Sequence, residues 1–110
     1  MPTSTISVRD LKKKMDRGED FTLIDARQRL SFEREHIMGS ISLPLADMPR
    51  KAKQILALDK EIIVYCGGPT CEVSQNAVEK LVEMGFKKVV RFKGGLQEWK
   101  VAGLPTESEA

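Results

Sequence analysis

The chain has 110 residues, 41% of them hydrophobic, and its 18 Lys and Arg against 16 Asp and Glu leave a net charge of +2. That is one domain's worth of sequence, residues 1–110, able to bury about two-thirds of the surface of its unfolded chain. The charge is too small to imply nucleic acid, no apolar run approaches the ~20 residues of a membrane span, and the first residues lack the charged and apolar segments of a secretory signal. Two basic clusters, Lys12–Lys14 and Arg50–Lys53, fall within predicted helices and read as solvated faces. Two cysteines without a signal point to a reducing, cytoplasmic setting and to thiols with a job other than disulfide bracing.

Strands and helices alternate along the chain. Residues 5–7 form a candidate first strand. Ser7 is placed to cap a helix with Asp10 at its third position; Val8, Leu11 and Met15 form its apolar stripe and Gly18 closes it. Phe21 to Ala26 reads as a strand, and Leu30 to Arg34 as a short helix. Ile41 to Leu43 is a brief strand stopped by Pro44. Met48 to Leu58 has a helical pattern with Pro49 in its first turn. Ile62 to Tyr65 is an unbroken β-branched and aromatic run, the mark of a strand buried on both faces. After it, Val73, Ala77, Val78, Leu81 and Val82 recur at helical spacing, and Gly85 with Phe86 supplies a Schellman-type end. Lys88 to Phe92 is a fifth strand, and Gly94–Gly95 opens a last helix over Leu96 to Ala102, with Trp99 in the core. Thr106 to Ala110 is expected as a loose tail.

This alternation implies a three-layer α/β fold: a five-stranded, mainly parallel sheet with helices on both faces. In such sheets ligands bind beyond the carboxyl ends of the strands. Three segments should meet there: Asp25–Arg27, the loop that starts at Cys66, and Lys93 to Gly95. The loop reads Cys66-Gly67-Gly68-Pro69-Thr70-Cys71-Glu72-Val73. It joins a buried strand to a helix N-terminus, where unpaired N–H groups and the helix dipole favour an anion. A thiolate at Cys66 is therefore expected to be stabilised, with its pKa lowered and Cys66 the more acidic of the two thiols. The alternative for a lone buried Cys is simple packing. Cys71 either fills the loop or acts as a second, resolving thiol. Cys66, Cys71 and His36 fall short of the four ligands of a structural zinc site, so neither metal nor cofactor is expected. His36 reads as a helix-end packing or hydrogen-bonding residue, and Asp25 as an ion-pair partner of Arg27.

Several pieces in this order resemble the rhodanese family. They are LIDAR at 23–27, Phe32…His36–Ile37…Gly39–Ser40–Ile41 leading to Leu43–Pro44, and IVYC at 63–66. Ala77…Leu81…Gly85–Phe86 and Gly94–Gly95…Trp99…Gly103…Pro105 follow. The resemblance covers nearly the whole chain. It implies the five-stranded fold above, and a sulfurtransferase in which Cys66 carries sulfur as a persulfide. The implied partners are a small sulfur donor (thiosulfate, polysulfide or persulfide) and a thiophilic acceptor such as cyanide or a thiol, with room for a protein persulfide partner. Residues 67–73 would cradle the outer sulfur. Where the common family loop, C-x4-R-S, carries an Arg, this loop carries none, so Arg27, Arg91 or Lys93 would have to supply the positive charge from the rim. Related phosphatases need Arg six positions after the Cys; that position here is Glu72, which would repel a phosphate. Two other functions fit the same residues: thiol–disulfide exchange between Cys66 and Cys71, and a non-catalytic docking module.

Overall fold

The computed structural model describes residues 4–109. In chain order its elements are α1 (Val8–Asp16), β1 (Phe21–Asp25), α2 (Arg29–Arg34), β2 (His36–Ile37) and β3 (Ile41–Ser42). A 3-10 turn (Leu45–Asp47) leads into α3 (Met48–Ile55), then β4 (Glu61–Tyr65), α4 (Val73–Glu83), β5 (Val89–Phe92), α5 (Gly95–Val101) and β6 (Thr106–Glu107). Four strands make a parallel sheet in the order β3-β1-β4-β5. β4 lies inside it, and Ile62 to Tyr65 are fully buried, as an apolar run without alternation requires.

Successive side chains of a strand point to opposite faces, so each strand feeds two cores. Ile24, Ile62 and Val64 pack with Ala52 of α3 and with Ala77, Val78 and Leu81 of α4. Leu23, Ile63 and Tyr65 pack on the other side with Leu11 of α1 and with Leu96 and Trp99 of α5. The result is the three-layer arrangement expected. Local signals hold at the helix ends. The Asp10 amide donates to Ser7 Oγ at 3.1 Å, Gly18 takes a left-handed φ of 65°, and the Phe86 amide donates to the Leu81 carbonyl at 3.1 Å.

Three segments differ from expectation. The sheet has four strands, not five. Ser7 already caps α1, so the segment before it is too short for a strand and forms a single bridge, Thr5 to Arg91. It is nevertheless hydrogen-bonded: the Arg91 amide donates to Ser4 O at 2.8 Å, and the Ile6 amide to Arg91 O at 3.0 Å. Helix α3 stops at Ile55 rather than Leu58, because Leu56 turns extended and buries its side chain. The expected tail is ordered through Glu109: β6 pairs antiparallel with β2, matching His36 to Glu107 and Ile37 to Thr106, and the Glu109 amide donates to the Glu33 carbonyl at 2.8 Å. Ala110 lies outside the described residues. Among these residues no helix is long and apolar enough to cross a membrane.

Candidate active site

The chain leaves β4 at Tyr65 and reaches Cys66 at the carboxyl edge of the sheet, where the β1 and β5 ends converge on it. The Cys66 side chain is 1% exposed. Its carbonyl accepts from the Leu96 amide at 3.0 Å, and the Gly67 carbonyl accepts from the Gln97 amide at 2.9 Å. The first turn of α5 thus braces the start of the loop. Gly95 makes that contact possible: its φ is +63°, and a Cβ there would lie 2.4 Å from the Cys66 carbonyl and 2.8 Å from the Gly68 amide. Gly67, Leu96, Gln97, Lys100 and Val101 line an apolar cleft of about 340 Å³ beside the loop.

Sulfur takes the place of a side-chain cap on α4. Its N-cap residue, Glu72, makes no capping hydrogen bond and is exposed. Instead the Ser74 amide donates to Cys66 Sγ at 3.3 Å, and the backbone N–H groups of Val73, Gly67 and Ser74 favour ionisation of Cys71. The nest expected for an anion is present and acts on both sulfurs. The Cys66 thiol donates to the Cys71 carbonyl at 3.4 Å, and each thiol shifts the ionisation of the other. Both cysteines are free. Pro69 and Thr70 are exposed at the loop tip.

This arrangement reverses the expected order of thiol acidity. Burial pushes the Cys66 thiol up, joined by its hydrogen bond to Cys71, and the Ser74 contacts only partly offset them. Burial also opposes ionisation of Cys71, but the hydrogen bond from Cys66 and the backbone N–H donors outweigh it and hold that thiol below its ordinary value. Of the two thiols, Cys71 is the more readily ionised.

The candidate cations differ in role. Arg27 is paired with Asp25 at 2.8 Å and donates to the Glu35 carbonyl at 2.7 Å, the structural partnership expected. Its charge still reaches the Cys66 sulfur. Arg91 is not a rim cation. It is 9% exposed, donates from Nε to Ser74 Oγ at 2.8 Å, and donates from Nη2 to the Cys71 carbonyl at 2.9 Å. It therefore clamps the far half of the loop to β5. A charged residue inside the otherwise apolar run of β5 was the sequence signal for such a buried partner. Lys93 is exposed. His36 is buried with Nδ1 2.6 Å from the Phe32 carbonyl and its ring stacked on Phe32, in keeping with a packing role. Among the described residues no three His, Cys, Asp or Glu side chains group as metal ligands.

A family model described as a rhodanese-like domain matches residues 7–102. The chain is 31% identical over 109 residues to the HTH-type transcriptional regulator Rv0324 of Mycobacterium tuberculosis, covering 99% of this chain and 47% of that protein. It is 33% identical over 81 residues to the thiosulfate sulfurtransferase GlpE of Coxiella burnetii, covering 74% of this chain and 73% of that one. Among solved structures, the Alr3790 protein of Anabaena superposes with a TM-score of 0.87 at 36% identity, over 94% of this chain and 80% of that one. The chain spans about half the length of several curated relatives it matches.

Proposed function

We propose that this chain, which belongs to the rhodanese-like domain family, moves a sulfane sulfur from a donor to a thiophilic acceptor through a persulfide on Cys66. The observation that carries the reading is the position of Cys66 Sγ. It sits at the end of the central strand, receives the Ser74 N–H at 3.3 Å, and lies within the field of Arg27. Both groups act toward a sulfur anion there, against the burial that raises the resting thiol.

In the loading step Cys66 Sγ attacks the outer sulfur of thiosulfate, a polysulfide or a persulfide. The Sγ–S bond forms, the donor's S–S bond breaks, and the donor leaves as sulfite or a thiolate. Cys71, the more readily ionised neighbour, is placed to take the Cys66 proton once it ionises, so a raised resting pKa at Cys66 does not prevent attack. A small acceptor such as cyanide or a thiol then attacks the outer sulfur and regenerates Cys66. The apolar cleft beside Gly67 suits the organic part of a thiol donor or acceptor better than a second anion. Membership also fits a module that carries sulfur within a larger protein, since a relative matched over 49% of its length is named a putative sulfur carrier protein.

Incubation with thiosulfate, polysulfide and a glutathione persulfide in separate arms, followed by intact mass spectrometry, tests the reading. One sulfur taken up per native chain, seen as added mass at the earliest times or as released hydrosulfide, and none taken up at Cys66 in Cys66→Ser is expected. A native chain that neither gains sulfur nor releases hydrosulfide through Cys66 with any donor would overturn it.

A further inference from the structure

From the contact between the two cysteines, we infer that Cys71 discharges the Cys66 persulfide internally, releasing hydrosulfide and leaving a Cys66–Cys71 disulfide. The inference rests on the persulfide reading above and adds a fate for the sulfur that a single-cysteine loop does not have.

Three observations converge. The Cys66 thiol donates to the Cys71 carbonyl at 3.4 Å, and the two thiols are near enough for each to shift the other's ionisation. The position is held from behind: Arg91 fixes the Cys71 carbonyl at 2.9 Å and Ser74 Oγ at 2.8 Å, so Cys71 is braced against Cys66 rather than free at the loop tip. Finally, the backbone N–H groups of Val73, Gly67 and Ser74 favour an ionised Cys71 sulfur. With those donors turned to Cys71, the outer sulfur of a Cys66 persulfide is accommodated on the other side of Sγ. Cys71 then lies opposite the leaving sulfur, the line that thiol–disulfide exchange requires.

The step balances. Cys71 holds the proton it received during loading. Its sulfur attacks Cys66 Sγ, the Cys66–Cys71 bond forms, the bond from Sγ to the outer sulfur breaks, and the proton leaves with the outer sulfur as HS⁻. The two cysteine sulfurs are oxidised to a disulfide and the sulfane sulfur is reduced to hydrosulfide. An external dithiol then reduces the disulfide and resets the loop, being itself oxidised. In this cycle the sulfane sulfur leaves as free hydrosulfide, and the reducing equivalents come from the dithiol.

The test loads the native chain and Cys71→Ser with one equivalent of glutathione persulfide, removes excess donor, and follows both by intact mass, peptide mapping and a sulfide assay. The native chain should release about one hydrosulfide per persulfide and become lighter than the reduced chain by two hydrogens, with peptides bearing Cys66 and Cys71 cross-linked. Cys71→Ser should keep the added sulfur on the order of tenfold longer or more, the least expected when a contacting intramolecular thiol is removed. Should Cys71→Ser fold poorly by circular dichroism, Cys71→Ala replaces it, and the cross-linked native peptide with equimolar sulfide is decisive alone. Equal lifetimes of the persulfide in both chains would overturn the inference and leave the sulfurtransferase reading standing. So would an added sulfur mapped to Cys71 without sulfide release. No added sulfur on either chain would overturn both.

Discussion

Replacing Gly95 by Ala should damage the active site through backbone contact alone. Two terms act. A non-glycine residue at φ +63° costs about 1–2 kcal/mol, offset by about 0.4–1 kcal/mol from the reduced freedom of the unfolded chain. The new methyl group would also lie 2.4 Å from the Cys66 carbonyl and 2.8 Å from the Gly68 amide. Both are backbone atoms, so the loop or α5 has to move, at about 1–3 kcal/mol. Gly103 separates the terms: its φ is +74°, but a Cβ there meets nothing within 4 Å. Gly103→Ala carries the conformational term only, so Gly95→Ala should be less stable than Gly103→Ala by about 1–3 kcal/mol. Urea unfolding of the two variants measures this difference. Movement of the loop should also lengthen the Leu96 and Gln97 amide bonds to it, so persulfide formation should slow in Gly95→Ala and hold in Gly103→Ala. Equal stability and equal loading in the two variants would refute the steric argument.

Trp99 is fully buried, packs edge-on to Phe92 and donates to the Pro105 carbonyl at 2.8 Å; Trp99→Ala should cost about 3–5 kcal/mol in urea unfolding, and a loss below about 1 kcal/mol would contradict its core role. With Cys66 held above and Cys71 below the ordinary thiol value, raising the pH should generate the Cys71 thiolate first. Iodoacetamide labelling mapped by peptide should then show a lower pH midpoint for Cys71 than for Cys66, and the opposite order would refute the assignment. Glu72→Arg places a cation where the loop now has an exposed carboxylate. It should raise turnover with thiosulfate more than with a neutral persulfide donor, and lower the thiosulfate KM more at low salt than at high salt. Equal effects on both donors would show that loop charge does not select the donor.

The parts legible in the sequence are those whose signals are local. Four unbroken apolar residues identify β4, Ser7 and Asp10 fix the start of α1, and Gly85 with Phe86 fixes the end of α4. The loop was legible as a site because a cysteine between a buried strand and a helix start has few structural equivalents. What escaped depends on partners distant in sequence. The strands β2 and β6 have two residues each, too few for any alternation to register, and they exist only because the long intervening chain brings Ile37 opposite Thr106. Arg91 reads as a surface cation until Ser74 and the Cys71 carbonyl are placed beside it. The thiol order could not be read either: a helix N-terminus favours an anion, but which sulfur receives the N–H groups is decided by how the loop folds.

The short bridge at Thr5 has a consequence for where the domain can be cut. β5 is the last strand of the parallel sheet, and its outward amides and carbonyls would otherwise be open to pairing with another chain. Ser4 and Ile6 cover that edge at Arg91, the residue whose side chain clamps the cysteine loop on the other side. The family match begins at residue 7, just after this seal. A fragment trimmed to that boundary would keep every element of the fold and both thiols. It would also bare a strand edge for self-association and free the backbone of the arginine that ties the Cys71 carbonyl and Ser74 to the sheet.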